Sequence, residues 1–181
     1  MNTVPATNPS IPWRERLGAL RWSSFSLLLI LLDQITKAMV VVNISRFESV
    51  PLLPFLELTH QRNPGAAFSF LANASGWQRW FFIGLAGVVS VGILVWLQQI
   101  NPRRQRLLAV GLSLILGGAI GNVIDRLRHG FVIDFIHLHW QSWSFPAFNI
   151  ADSAITIGAV LLIIDALLEG RRARAAAAGQ R

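Results

Sequence analysis

The chain contains no cysteine. That absence removes disulfides, thiolate nucleophiles and thiol–metal sites together. Charge is scarce as well. Asp, Glu, Lys and Arg make up 14% of the residues, against about a quarter in an ordinary soluble domain. Hydrophobic residues make up 53%, and the mean hydropathy is +0.50. Little charge beside much apolar side chain is the composition of a chain whose solvent is the bilayer. No Gly-x-Ser-x-Gly, His-Glu-x-x-His or glycine-rich phosphate loop occurs, so three common catalytic or nucleotide-binding chemistries lack their motifs. The formal charge of +7 is accounted for by arginines flanking membrane spans, without a nucleic-acid partner. One domain is expected for 181 residues.

What is present begins with four long apolar stretches. They are "WSSFSLLLILLDQITKAMVVV" from about Trp22 to Val42, "WFFIGLAGVVSVGILVWL" from Trp80 to Leu97, "LLAVGLSLILGGAIGNVI" from Leu107 to Ile124, and about Phe145 to Leu168. Each approaches the roughly 20 residues that cross a hydrocarbon core as a helix. Asp33, Gln34 and Lys37 stand where a cleavage site would follow the first stretch, so it reads as a retained span rather than a signal peptide. The segments are then an N-terminal arm (1–21), a four-span domain (22–168) and a basic, poorly ordered tail (169–181). Arg14, Arg16, Arg21, Arg103, Arg104, Arg106, Arg171, Arg172, Arg174 and Arg181 fall on one side of such a topology. Arg46, Arg62, Arg79, Arg126 and Arg128 fall on the other. The positive-inside rule makes both termini cytoplasmic. The two outer connections hold "FESVPLLPFLELTHQRNPGAAFSFL" and "FVIDFIHLHWQSWSF". Both predict short strands on the membrane surface, with a short interfacial helix near Ala72 to Arg79.

The in–out alternation gathers polar residues from separate segments at the outer end of the bundle. Asp33 and the chain's single lysine, Lys37, sit four apart on one helical face. Asn122 and Asp125 sit three apart at the end of the third span, and Asn149 and Asp152 three apart at the start of the fourth. Asp134 and Asn63 lie in the outer connections. Each has a bland reading. Asp33 with Lys37 is a helix-borne ion pair, Asn122 and Asn149 are interhelical glue, Asp125 beside Arg126 is an interfacial pair, and Asp165 is a charge facing the basic tail. Gly117, Gly118 and Gly121 read as a close-packing seam. His137 and His139 have no carboxylate at ligand spacing, so no metal is expected. Asp134 and Asp152 resist a bland reading, because ionisable groups at membrane depth are rare and functional. Two neighbouring carboxylates in a poorly hydrated site share one proton. Such a dyad activates water with one member and protonates with the other. Asp125 is the rival partner for Asp152. A small proton-coupled transporter would also use buried aspartates, and a membrane scaffold would explain the spans but not the cluster.

Taken in order, "DQITK", "NPGAAFSF", "GGAIGNVIDR", "VIDF" and "FNIADSAI" resemble lipoprotein signal peptidase, the bacterial signal peptidase II family of integral membrane aspartyl proteases. The resemblance spans about residues 22 to 168. Asn63-Pro64-Gly65 stands where the family often has Asn-Thr-Gly. The resemblance implies an all-α membrane fold of four transmembrane helices with a small extracytoplasmic β-cradle and a short interfacial helix. It implies cleavage of prolipoproteins just before a diacylglyceryl-modified cysteine, without a cofactor. It assigns catalysis to Asp134 and Asp152. Asn63, Asn122, Arg126 and Asn149 would surround or bind substrate, with Asp33, Lys37 and Asp125 in support. Globomycin-type inhibitors, membrane lipid, a monomeric state and the bacterial inner membrane complete the expectation.

Overall fold

The computed structural model describes residues 13–65, 76–101 and 105–179, with the backbone alone for residues 13–21. In chain order the elements are α1 (Trp13–Asn43), β1 (Ser49–Leu53), β2 (Leu56–Asn63), α2 (Trp77–Leu97), α3 (Arg106–His129), β3 (Val132–Trp140), β4 (Trp143–Ser144) and α4 (Ile150–Ala178). All four helices contain a stretch long and apolar enough to cross a membrane. Leu27, Leu28, Leu31, Ile35 and Met39 of α1 project outward, exposed. In water such a face would drive aggregation, whereas lipid solvates it.

Helix α3 is the axis of the bundle. Of its apolar window 61% is buried, against 11% to 22% in the other three. Helices pack in lipid through close backbone approach, because burying apolar surface gains nothing there. The glycines of α3 permit that approach. A Cβ on Gly111 would stand 2.9 Å from the Gly158 carbonyl oxygen of α4, and one on Gly121 would stand 2.7 Å from Asp33 Oδ2 of α1. Gly117 faces Ser26 and Leu29 of α1, and Gly118 faces Ala151 of α4. The three glycines expected as a seam therefore serve two neighbours. At the other end of α2 and α3, Leu97, Ile100, Leu112 and Leu116 form the apolar core.

The four strands form one antiparallel sheet in the order β1-β2-β3-β4. Gly130, at φ 85°, ends α3 in the left-handed conformation that favours glycine and turns the chain directly into β3. Asp134 therefore lies just beyond the end of α3. After β4 the chain returns alongside β3, where Phe148 exchanges backbone hydrogen bonds with Ile136 at 2.8 and 3.0 Å. That return strand delivers Asn149 to the side of Asp134.

Three boundaries differ from the sequence expectation. The stretch expected as an arm is helical from Trp13, because after Pro12 nothing in "WRERLGALR" breaks a helix. The tail expected to be poorly ordered continues α4 to Ala178, since Arg and Ala are strong helix formers. The fourth helix begins at Ile150 and not at Phe145. Phe145 to Phe148 spend their backbone groups on β3, with Phe145 N–H donating to the Leu138 carbonyl at 2.9 Å. Most of the interfacial helix expected near Ala72 to Arg79 lies outside the described residues, and Trp77 to Arg79 form the first turn of α2.

The packing predicts that Gly111→Val lowers stability by about 1–3 kcal/mol through overpacking between α3 and α4. Gly84→Ala, where an added Cβ meets nothing within 4 Å, should leave stability unchanged or slightly raised. Thermal unfolding of the two variants in detergent checks both; equal melting points would contradict the close-packed seam.

Candidate active site

The site is built outward from Lys37. Its ammonium is 2% exposed and donates at 2.8 Å to Asp33 Oδ2, at 3.0 Å to Asp125 Oδ2 and at 3.1 Å to Asn122 Oδ1. An ammonium out of water is tolerable only when each N–H meets an acceptor, and here all three do. The carboxylates are saturated in turn. Asp33 Oδ1 accepts the Ala151 backbone N–H at 3.0 Å, one of the orphan donors in the first turn of α4. Asp125 Oδ2 accepts the Ile133 N–H at 3.0 Å, at the start of β3. Gln34 donates to Asp125 Oδ1 at 2.9 Å and to Asp33 Oδ2 at 3.2 Å. Asp33 and Lys37 are thus more than a helix-borne pair: they tie α1, α3, α4 and β3 together. The cation facing Asp125 is Lys37 and not Arg126, because α3 turns Asp125 toward α1.

Two further carboxylates sit against this knot, each oriented by amides. Asn122 Nδ2 donates to Asp152 Oδ1 at 2.8 Å. Asn149 Nδ2 donates to Asp134 Oδ1 at 2.7 Å. Asn149 is the N-cap of α4, in a capping box. Its Oδ1 accepts the Asp152 N–H at 2.9 Å, and Asp152 Oδ2 accepts the Asn149 N–H at 3.3 Å. One asparagine therefore holds both aspartates, from the cap position of α4. Asn63 Nδ2 donates to Asp134 Oδ2 at 2.9 Å. The register explains this: Asn63 pairs with Val132 and Gln61 with Asp134, so Asn63 and Asp134 are diagonal neighbours on one face of the sheet. Asn63 Oδ1 also accepts the Gly65 N–H at 2.9 Å. That turn uses no donor from residue 64, so Pro64 leaves it intact.

Asp134 is 3% exposed. Burial, reinforced by the neighbouring Asp152 charge, pushes its carboxyl up to about 7 against the hydrogen bonds from Asn63 and Asn149. Arg126 lies one helical turn past Asn122 and donates to the Asn122 carbonyl at 3.3 Å. Its guanidinium lies 4.9 Å from the centre of the Phe82 ring. Its charge acts on Asp152, Asp134 and Asp125.

All nine residues singled out in the sequence thus meet at one end of the bundle. Gln34 was missed, although an amide within an apolar run beside Asp33 was the available signal. Also missed was a cross-strand group on the sheet. Glu57 Oε1 lies 2.7 Å from His137 Nδ1, and Ser144 Oγ lies 2.8 Å from His137 Nε2. Glu57 pairs directly with His137 only in the observed register. The His137 hydrogen bond chiefly holds the Glu57 carboxyl below its ordinary value. Among the described residues no group of three His, Cys, Asp or Glu is placed to hold a metal.

A family model described as "Signal peptidase (SPase) II" matches residues 25–168. The chain belongs to that family. It is 55% identical over 155 residues to the lipoprotein signal peptidase of Alteromonas mediterranea, covering 86% of this chain and 85% of the relative. It is 47% identical over 169 residues to that of Ectopseudomonas mendocina, covering 92% and 99%. A solved bacterial membrane enzyme at 2.3 Å resolution superposes with a TM-score of 0.70 at 33% identity, covering 84% of this chain and 88% of that one. The chain is therefore a multi-pass membrane protease of the signal peptidase II family, with the four-helix fold and small sheet expected. The transporter reading falls with this assignment.

Removing the central cation tests the knot. Lys37→Met should cost about 3–5 kcal/mol, because Asp33 and Asp125 are then left buried without a cation. Adding Asp33→Asn to Lys37→Met should recover part of the loss. Melting curves in detergent report both, and a Lys37→Met protein as stable as the parent would refute the account.

Proposed function

We propose that this chain removes signal peptides from prolipoproteins, cutting before the diacylglyceryl-modified cysteine, with Asp134 and Asp152 as an aspartyl dyad. The observation that carries this reading is Asn149, which grips one carboxylate with its side chain and caps the other. Two carboxylates from separate elements converge there at the mouth of the bundle, and among the described residues neither forms a direct ion pair. The names of the relatives supply the substrate class. The lipid-borne substrate fits a site at the membrane interface, which water can reach.

In the mechanism the dyad shares one proton. Asp134 holds it, because burial and the Asp152 charge favour its neutral form. Asp152, ionised, accepts a proton from water as the oxygen attacks the scissile carbonyl. Asp134 donates a hydrogen bond to the oxyanion of the tetrahedral intermediate. As the C–N bond breaks, the leaving nitrogen takes a proton from the dyad. Arg126 and the asparagines hold the substrate backbone or orient the carboxylates, with Asp33, Lys37 and Asp125 in support. Both termini are cytoplasmic, the site faces the outer leaflet of the bacterial inner membrane, and a monomer suffices. Globomycin-type peptides inhibit by occupying this site. Asp125 is less suited to the dyad, because it is already held in an ion pair with Lys37.

The first experiment is cleavage of a diacylglyceryl-modified prolipoprotein by the purified protein. Asp152→Asn and Asp134→Asn should each lower turnover by roughly 10²–10⁴-fold while remaining folded. Asp125→Asn should lose activity together with stability. A folded, stable Asp125→Asn without turnover would transfer the partner role to Asp125.

The pH dependence has a definite sign. The Asp134 carboxyl is raised from 3.8 to about 7 in the folded protein. The folded state therefore binds its proton more tightly, and this contribution to stability is lost as pH rises from about 4 to 7. Activity should fall above about pH 7 as that proton leaves. Asp134→Asn, with no proton to lose, should gain melting temperature relative to the parent between pH 4 and 8. An unchanged difference across that range would remove Asp134 as the proton holder.

A further inference from the structure

Beside the knot, α1, α3 and Ile133 of β3 leave a cavity of about 190 Å³ between them, which Asp134 and Asp152 do not line. Its inner wall includes Lys37 and Asp125, and its outer wall Ala38 and Val41. On the inner wall the polar atoms of Lys37 and Asp125 are already used. All three Lys37 donors are taken, and both Asp125 oxygens accept hydrogen bonds. The cavity is therefore offered a lysine stem and aliphatic side chains, and α1 presents Val41 and Val42 outward at 45% and 82% exposure. At its mouth stand Arg128 and His129, on the last turn of α3. Arg128 is exposed and has no hydrogen bond or ion pair among the described residues. The His129 ring is stacked on Phe131, with centroids 5.8 Å apart.

An apolar slot capped by an unpaired guanidinium, where a membrane helix ends, is complementary to one kind of molecule. The slot accepts an alkyl chain, which neither a water-soluble peptide nor a free anion supplies. The guanidinium fork matches a phosphate diester, and charge complementarity favours a lipid of net negative charge. We propose that the α1–α3 cavity binds an anionic phospholipid of the bilayer, with its phosphate on Arg128 and His129 and the start of an acyl chain against Ala38 and Val41. Asp134, Asp152, Asn122 and Asn149 do not line this cavity, so its occupant is not the chain being cut. The lipid rests instead against Asp125 and against Lys37, which holds Asn122 in place, and it covers their flank from water.

The test is native mass spectrometry of the full-length protein released from detergent. Phosphatidylglycerol, and phosphatidylcholine with the same acyl chains, are titrated in separately. The parent protein should retain phosphatidylglycerol in preference to phosphatidylcholine. Arg128→Gln should weaken phosphatidylglycerol retention about tenfold, the loss of one charge-assisted phosphate contact. Ala38→Trp should weaken it as well, although the arginine remains. Equal retention by the parent and Arg128→Gln would overturn the proposal. So would full retention by Ala38→Trp, or displacement of the lipid by inorganic phosphate, since either would reduce Arg128 to a bare surface charge. Arg128 is exposed and unpartnered, so its substitution leaves the fold intact, and that variant decides the matter even if Ala38→Trp fails to fold.

Discussion

The constraint on which the rest depends is the burial of one ammonium group. Lys37 lies among helices where water does not compete, so its three donors must find acceptors within the protein. They find Asp33 on its own helix and Asp125 and Asn122 on α3. The remaining oxygen of Asp33 then takes the Ala151 backbone N–H, and Asp125 Oδ2 takes the Ile133 N–H beside Lys37. One cation thereby sets the position of two helices, the start of a third and the first residues of a strand. Gly121 is part of the same arrangement, since Asp33 occupies the place of its side chain. Apolar packing could not fix these positions so sharply, because helix and lipid surfaces are equally apolar.

The four aspartates of the cluster divide by the kind of partner they have. Asp33 and Asp125 share one cation and accept backbone donors, so a direct ion pair offsets part of their charge. Asp134 and Asp152 are held by asparagine amides and by a backbone N–H. Neutral donors orient a carboxylate without balancing its charge, and with cations acting only at a distance a proton is a further means of relief. The rise of Asp134 to about 7 follows from burial and from the Asp152 charge. The same residue type thus performs support in one layer and, in the proposed mechanism, chemistry in the next.

The sheet's part in this is registration. Gly130 turns α3 into β3, the β2 register sets Asn63 beside Asp134, and the Phe148 bridge brings Asn149 from the other side. Four segments far apart in sequence meet within hydrogen-bond distance of one carboxylate pair. A membrane helix alone offers one residue per turn to such a site. The paired strands β2 and β3 add Asn63 and Asp134 from outside the helices.

Much of this was legible beforehand. Span number, the strand-bearing connections and the meeting of eight polar residues at one end follow from hydropathy and in–out alternation, which depend on local composition alone, whereas Arg126 joined them through the family resemblance. Helix ends were less legible. Trp13 and Ala178 lie beyond the apolar runs, where propensity rather than hydropathy keeps the helix going, and Phe145 to Phe148 were claimed by a strand contact that no local pattern announces. Partner choice was not legible at all. That Asp125 answers to Lys37 and not to the adjacent Arg126 depends on the rotation of α3 against α1. That Asn149 caps α4 depends on where β3 holds the preceding residues, and that Glu57 meets His137 depends on strand register. The sequence by itself determined which residues must leave lipid and toward which end. Only the tertiary structure decided which of them touch, because a hydrogen bond depends on the relative placement of distant segments to within a few tenths of an ångström.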